Sequence, residues 1–201
     1  MNYILVFIVS YLIGTFHLSY ILGKKVKKID IRTQGSNNSG ASNTVLLLGW
    51  KYGLAVALVD MIKGLIATLI AKYIFSGDMN LICFAGVSVV LGHMYPFHMK
   101  FCGGKGLATF VGMMHIINPW VSVFCGVSVL IVAYISNYIV IGTVFACIIF
   151  SIYSLCRFGF GITFCMALFV SSLIVVKHRV NFKRIVNKEE AKFRDSLKKK
   201  N

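Results

Sequence analysis

Long apolar runs separated by short polar connections constrain this chain more than any other feature of its sequence. The hydrophobic share is 58%, and only 13% of the 201 residues are charged, against about 25% in a typical soluble domain. An apolar run of roughly 20 residues is long enough to cross a bilayer as a helix. The seven runs are Tyr3–Leu22, Tyr52–Phe75, Leu81–Met99, Gly106–Ile117, Trp120–Ile135, Tyr138–Cys156 and Ile162–Val176. We therefore predict an all-α integral membrane protein with seven transmembrane helices, forming one domain over residues 1–201.

The basic residues predict how these helices are oriented. The connections after the first, third and seventh runs hold 18 of the 21 basic residues, and basic residues collect on the cytoplasmic side of a membrane. This places the N-terminus outside and the basic tail, residues 177–201, in the cytoplasm. The fourth run is short, but without it the tail would face outward, so seven spans are favoured. Charge beside apolar runs also favours anionic lipid headgroups and anionic substrates over nucleic acid.

The spacings of cysteine and histidine favour neither a disulfide nor a metal site. No two of the six cysteines form a Cys-x-x-Cys pair, and no two of the five histidines lie four residues apart. Such spacings are the usual signatures of metal and redox sites. We expect reduced cysteines, no metal and no cofactor.

The glycine-rich stretch, Gly92–Thr109, separates the third and fourth runs and contains Gly103-Gly104-Lys105-Gly106. Glycines let main-chain N–H groups approach an anion, and lysine adds a mobile positive charge. This favours a phosphate ligand. The alternative is a structural turn. A Walker P-loop is excluded, because Gly106 and Met99 stand where that motif needs Ser or Thr and its first glycine.

Two further polar stretches are predicted on the same side of the membrane, at residues 35–43 and 177–184. The three stretches together are rich in donors and cations and poor in carboxylates, a composition that suits holding phosphates better than generating a nucleophile. Their candidate residues are Ser36, Asn38, Ser42, Asn43, His93, Lys105, His178, Arg179 and Asn181. We expect the three stretches to form one pocket at the membrane surface.

Asp60 and Lys63 lie three residues apart within the second apolar run. This spacing puts them on one face of a helix, where they can neutralise each other. We predict a buried structural ion pair, with an acid–base role as the alternative.

These motifs together resemble the bacterial membrane glycerol-3-phosphate acyltransferases that use acyl phosphate, the PlsY family. The matching segments, in order, are Asp30–Arg32, Gly35–Asn43, Asp60–Gly64, Gly92–Thr109 and His178–Asn181. The resemblance implies transfer of a fatty acyl group from acyl phosphate to the sn-1 hydroxyl of glycerol 3-phosphate, as a step of phospholipid biosynthesis. It also implies seven spans in the bacterial cytoplasmic (inner) membrane, with the site facing the cytoplasm and no obligate protein partner.

Carried over residue by residue, the resemblance assigns roles within the three motifs. It implies that Ser36, Lys105, His178 and Asn181 hold glycerol 3-phosphate, that Asn38, Gly40, Asn43, Gly103 and Gly104 line the acyl-phosphate pocket, and that His93 braces two loops. Ser42 and Arg179 remain further donors for the substrates. No serine acyl-enzyme is expected, and the hydroxyl proton passes to a substrate phosphate or, alternatively, to Asp60 or His178.

The chain departs from the family pattern at several positions. Asn37, Ser39 and Ser42 replace glycine, proline and threonine, Leu46 replaces an arginine for which Lys51 is a candidate substitute, and Phe16-His17 stands where proline is usual. Two other functions stay open: a carrier or channel for a small phosphorylated anion, and an inactive relative or structural partner of lipid enzymes.

Overall fold

The computed structural model describes residues 2–198, and all its regular elements in that range are helical. Met1 and the tail residues 199–201, part of the predicted basic tail, lie outside the described residues. The helices are α1 (Asn2–Thr15), α2 (Leu18–Leu22), α3 (Ala41–Leu48), α4 (Trp50–Ile74), α5 (Met79–Met94), α6 (Leu107–Ile117), α7 (Pro119–Ser136), α8 (Ile139–Phe158), α9 (Ile162–Lys177), α10 (Arg179–Val186) and α11 (Phe193–Lys198). They form two compact units, Met1–Ile117 and Asn118–Asn201.

Five helices of the described chain are long and apolar enough to cross a membrane. The first of them, Asn2–Lys27, combines α1, α2 and a π-helical turn. A sixth is present if α9 and α10, which meet at a bend of 42°, count as one span. The predicted fourth run forms α6, whose 11 residues rise about 16 Å. The helical membrane architecture is thus confirmed, while seven spans stays a prediction.

Helix pairs in the first unit approach closely at glycines. A Cβ on Gly14 of α1 would overlap the Val89 carbonyl oxygen of α5, and one on Gly92 of α5 would overlap the Tyr11 carbonyl oxygen. At the α4–α6 crossing, likewise, a Cβ on Gly64 or on Gly112 would overlap a main-chain carbonyl oxygen of the other helix. Small residues at crossings bring two backbones together, which is the main source of helix association where lipid removes the hydrophobic driving force.

Helix α3 was not predicted, because its first half, residues 41–44, continues a stretch of small polar residues that favour turns and caps. It follows Gly40, ends before Gly49 at φ 96°, and leads directly into α4. Its register depends on contact with α4, since a Cβ on Gly53 would overlap the Val45 side chain. Tertiary packing therefore outweighs local preference in this segment.

Helix α7 of the second unit carries its large apolar side chains on the outside. On α7, the small side chains of Ser122, Cys125 and Ser128 are buried, whereas Phe124 is 61% exposed and Ile135 74% exposed. This distribution fits a helix whose outer face contacts lipid. The N-terminus of α7 is capped by the side chain of Asn118.

Candidate active site

The glycine-rich stretch docks on the C-terminal end of α5. The Gly103 N–H donates to the Met94 carbonyl at 3.1 Å, and the Gly104 N–H donates to the His93 carbonyl at 3.0 Å. Both acceptors belong to the last turn of the helix, where carbonyls lack intrahelical partners. The stretch thus supplies hydrogen-bond partners for the last carbonyls of α5. Lys105, which is half-buried, follows directly after the docked glycines.

Close approach to His93 requires glycine at both docked positions. A Cβ on Gly103 would overlap the His93 carbonyl oxygen, and a Cβ on Gly104 would overlap Nε2 of the His93 ring. The third glycine, Gly106, has φ +90°, a conformation that side chains with a Cβ rarely adopt. These three glycines hold Lys105 between a docked turn and the start of α6.

A buried charged cluster holds the His93 ring from the other side. The Lys63 Nζ lies 2.9 Å from Asp60 Oδ1, 2.7 Å from His93 Nδ1 and 2.8 Å from the Phe16 carbonyl oxygen. An ammonium group has three hydrogens and only donates, so these three acceptors match its capacity. Because His93 Nδ1 accepts, the neutral His93 ring carries its proton on Nε2.

The predicted ion pair between Asp60 and Lys63 is confirmed, and it is deeply buried: Asp60 is 3% exposed and Lys63 4% exposed. A buried charge is tolerated when its partner and its hydrogen bonds are all in place. The extension of this pair to His93, which is 3% exposed, was not predicted. We call Asp60, Lys63 and His93 the buried cluster.

The break between α1 and α2 is tied to the buried cluster. Within a membrane, main-chain carbonyls that a break releases need internal partners. The Lys63 ammonium donates to the Phe16 carbonyl, and Nδ1 of His17 lies 2.8 Å from the Thr15 carbonyl oxygen. His17 was not among the predicted site residues, and its replacement of the usual proline was the one sequence signal that marked it.

Asn43 organises the first polar stretch. Its Nδ2 lies within 3.0 Å of the carbonyl oxygens of Ile31, Gln34 and Asn38, and its Oδ1 accepts from the Ser36 N–H at 2.7 Å. The side chain is fully buried. Since its amide is engaged by the loop itself, Asn43 gives the loop its shape.

Arg32 links the first polar stretch to the glycine-rich stretch. Its Nη2 lies 2.7 Å from Asp30 Oδ2, and its Nη1 donates to the Met99 carbonyl at 2.5 Å. The hydrogen bond from Arg32 lowers the pKa of Asp30 to about 2, so this carboxylate is charged at neutral pH. The Arg32 guanidinium also lies 5.2 Å from the ring centre of Tyr20, a cation–π distance.

The other predicted residues of the first stretch line its surface to different degrees. Ser36, Asn38 and Gly40 are half-buried, whereas Ser42 is exposed. Leu46, which replaces the usual arginine, is 46% exposed. The candidate substitute Lys51 is also exposed.

The third polar stretch lies in the second unit, at the junction of α9 and α10. His178 and Asn181 are both buried, whereas Arg179 is exposed. The Nδ1 of His178 lies 2.8 Å from the Ile174 carbonyl oxygen, which fixes the ring's orientation. Asn181 Nδ2 donates to Glu190 Oε1 at 2.5 Å. The structure thus places the first polar stretch and the glycine-rich stretch in one unit, Met1–Ile117. His178 and Asn181 lie in the other unit.

Comparison with known proteins decides the family. Residues 4–188 match the glycerol-3-phosphate acyltransferase family. The chain belongs to this family. The glycerol-3-phosphate acyltransferase 1 of Oceanobacillus iheyensis is 37% identical over 208 residues, which cover 100% of this chain and 99% of the relative.

Two crystal structures of another family member have the same fold. That protein is PlsY (YgiH), an integral membrane glycerol 3-phosphate acyltransferase. Its glycerol 3-phosphate form has a TM-score of 0.88 and 33% identity, over 96% of this chain and 96% of that one. Its lysophosphatidic acid form has a TM-score of 0.85 and 32% identity, over 98% and 99% of the two chains.

The buried cluster predicts a specific pattern of stability in this acyltransferase. We expect Asp60→Leu to lower the free energy of unfolding by about 3–5 kcal/mol, because the Lys63 ammonium stays buried without its counter-charge. The double variant Asp60→Leu, Lys63→Met should be less destabilised than Asp60→Leu alone. Unfolding in detergent measures the stability of Asp60→Leu, Lys63→Met and the double variant. If the double variant were destabilised by the sum of the two single-variant effects, the two residues would not be coupled.

Proposed function

We propose that this chain transfers a fatty acyl group from acyl phosphate to the sn-1 hydroxyl of glycerol 3-phosphate, giving lysophosphatidic acid and inorganic phosphate. The observation that carries the proposal is the docked glycine-rich stretch and its Lys105, in a chain that shares its fold with a glycerol 3-phosphate form of the family. The reaction is a step of phospholipid biosynthesis, and it needs no cofactor.

Four residues hold the glycerol 3-phosphate in this proposal: Ser36, Lys105, His178 and Asn181. An ammonium, a hydroxyl and an amide supply cationic and neutral donors to a phosphate dianion. The His178 ring, whose Nδ1 faces the Ile174 carbonyl, donates through Nε2 in its protonated form. The mounting of Lys105 supports this role, because the docked glycines before it and the start of α6 after it restrict where its side chain begins. Such a mounting lets a flexible lysine reach phosphate oxygens from a fixed base.

The acyl phosphate binds against main-chain donors. Gly40 stands at the N-terminus of α3 without a side-chain cap, and helix N-termini with open N–H groups attract anions. Asn38, Ser42 and Arg179 contribute further donors. Gly103 and Gly104, whose N–H groups are engaged by the carbonyls of α5, contribute room for the phosphate. Asn43 shapes the loop, and His93 braces the glycine-rich stretch, as their contacts support.

The chemical step is a direct attack. The sn-1 hydroxyl oxygen forms a bond to the acyl carbonyl carbon, the bond from that carbon to the phosphate oxygen breaks, and inorganic phosphate leaves with the electron pair. Acyl phosphate is a mixed anhydride and already activated, so the protein contributes alignment, exclusion of water and stabilisation of the departing charge. No acyl-enzyme is required.

The hydroxyl proton passes to a substrate phosphate. Asp60 is a poor candidate for the base, since it is buried and its Oδ1 faces the Lys63 ammonium at 2.9 Å. His178 is the alternative, because a ring that donates through Nδ1 to a carbonyl presents an accepting Nε2 in its neutral form.

The chain lies in the bacterial cytoplasmic membrane with seven spans, its N-terminus outside and its tail in the cytoplasm. Five spans, or six with the bent pair, have the required length and composition. The charge distribution supports α6 as the remaining one, because 18 of 21 basic residues then lie on one side. The active site faces the cytoplasm.

The activity itself separates enzyme from carrier. Membranes that contain the chain, supplied with labelled glycerol 3-phosphate and palmitoyl phosphate, should form a labelled lipid that extracts into organic solvent. Acyl carrier protein and coenzyme A thioesters, tested side by side, should support far less product. Uptake of label without lipid product would favour the carrier instead.

Lys105→Ala should reduce transfer by roughly 100-fold or more, because it removes a charge that holds the reacting phosphates. The matched control is Lys100→Asn, which removes an exposed lysine from the same stretch and should keep near wild-type activity. Initial rates at varied glycerol 3-phosphate measure both variants. Wild-type rates in folded Lys105→Ala would remove Lys105 from the site.

The proposed topology is testable through the exposed Cys102 of the glycine-rich stretch. In a variant whose other cysteines are replaced, Cys102 and an added tail cysteine, Lys188→Cys, should react with a membrane-impermeant maleimide in inverted vesicles and not in intact spheroplasts. An added Asn2→Cys should show the reverse. Labelling of Cys102 and the tail from opposite sides would refute this topology.

A further inference from the structure

His17 faces two main-chain carbonyls with its two ring nitrogens. Nδ1 lies 2.8 Å from the Thr15 carbonyl oxygen, and Nε2 lies 3.0 Å from the His93 carbonyl oxygen. A carbonyl oxygen only accepts and a neutral imidazole carries one N–H, so the ring donates to one carbonyl at a time; the tautomer protonated on Nε2 donates to the His93 carbonyl. The first contact stays within the α1–α2 break, and the second reaches the end of α5.

The His93 carbonyl is also the docking point of the glycine-rich stretch. The Gly104 N–H donates to the same oxygen at 3.0 Å, and one carbonyl oxygen has two lone pairs with which to accept both donors. The position of this oxygen therefore sets the position of Gly104 and of the adjacent Lys105.

The ring of His17 confines the ring of His93 as well. Their centroids are 4.9 Å apart, with an interplanar angle of 18°. The His93 ring is thus held by stacking on His17, by Lys63 at Nδ1 and by Gly104, whose backbone packs against Nε2. Of the two side chains among these three, that of His17 contacts both the ring and the main chain of His93.

We propose that His17 is a positioning residue for acyl transfer, which acts through the His93 carbonyl to hold Gly104 and Lys105 where glycerol 3-phosphate binds. This rests on the proposed function. His17 contacts neither substrate in this account. Its effect on the reaction passes through one shared acceptor oxygen, and misplacement of a binding group by a small distance is costly in catalysis.

The two contacts of His17 can be separated by substitution. The amide nitrogen of asparagine takes the place of Nδ1, so His17→Asn keeps a donor for the Thr15 carbonyl and loses the one for His93. The longer glutamine places its amide nitrogen near Nε2, so His17→Gln keeps the donor for the His93 carbonyl. The two variants have similar polarity and differ in which carbonyl receives the hydrogen bond from the amide nitrogen.

The experiment compares steady-state kinetics of the full-length wild type, His17→Asn and His17→Gln in detergent, with palmitoyl phosphate fixed and glycerol 3-phosphate varied. Rates are normalised to folded protein by size-exclusion chromatography. His17→Asn should raise the KM for glycerol 3-phosphate by about tenfold, the size of effect that one lost hydrogen bond produces. His17→Gln should stay close to the wild-type KM.

A purely structural role predicts a different result, namely lower yield or thermal stability in either variant with an unchanged KM in the folded fraction. A wild-type KM in His17→Asn, or an equal defect in His17→Gln, would overturn the role of His17 alone. Absence of lipid product from the wild type would overturn the proposed function and this inference together. If His17→Asn folds poorly, His17→Ser replaces it, since its short hydroxyl reaches the Thr15 carbonyl only.

Discussion

One buried ammonium group, that of Lys63, joins the elements on which the first unit depends. It is bound at once by a carboxylate of its own helix, by a ring on α5 and by a carbonyl that the α1–α2 break releases. All three of its hydrogens have acceptors, so the charge is tolerated inside a region with few other polar groups. Removing any partner leaves a buried group unsatisfied, and the three elements therefore form one arrangement rather than separate contacts.

This arrangement ends at the glycine-rich stretch. The ring that Lys63 holds belongs to His93, whose carbonyl and ring together receive Gly104. A chain whose candidate residues include no activated nucleophile has to obtain its rate from placement of substrates and from donors aimed at developing charge. The buried cluster holds His93, on which the glycine-rich stretch docks, and Arg32 contacts the same stretch through the Met99 carbonyl.

Much of the membrane fold and part of the site could be predicted from sequence. Apolar runs predict helices because their length must match the bilayer, and the spacing of Asp60 and Lys63 predicts their pairing because it follows helix geometry. Helix α3, the loop-shaping role of Asn43 and the two contacts of His17 could not be predicted this way. The contact between His17 and His93 joins positions 76 apart, and the carbonyls around Asn43 converge only once the loop is folded, so no local sequence pattern encodes these contacts.

Hydrogen exchange at the glycine-rich stretch tests the dependence of the loop on the buried cluster most directly. Wild type and Asp60→Asn are compared by mass spectrometry in detergent, through peptides that cover residues 100–108. We predict faster exchange of the Gly103 and Gly104 amides in Asp60→Asn, with exchange in α7 and α8 unchanged. Equal protection of these two amides in both proteins would contradict the claim that the cluster holds the loop.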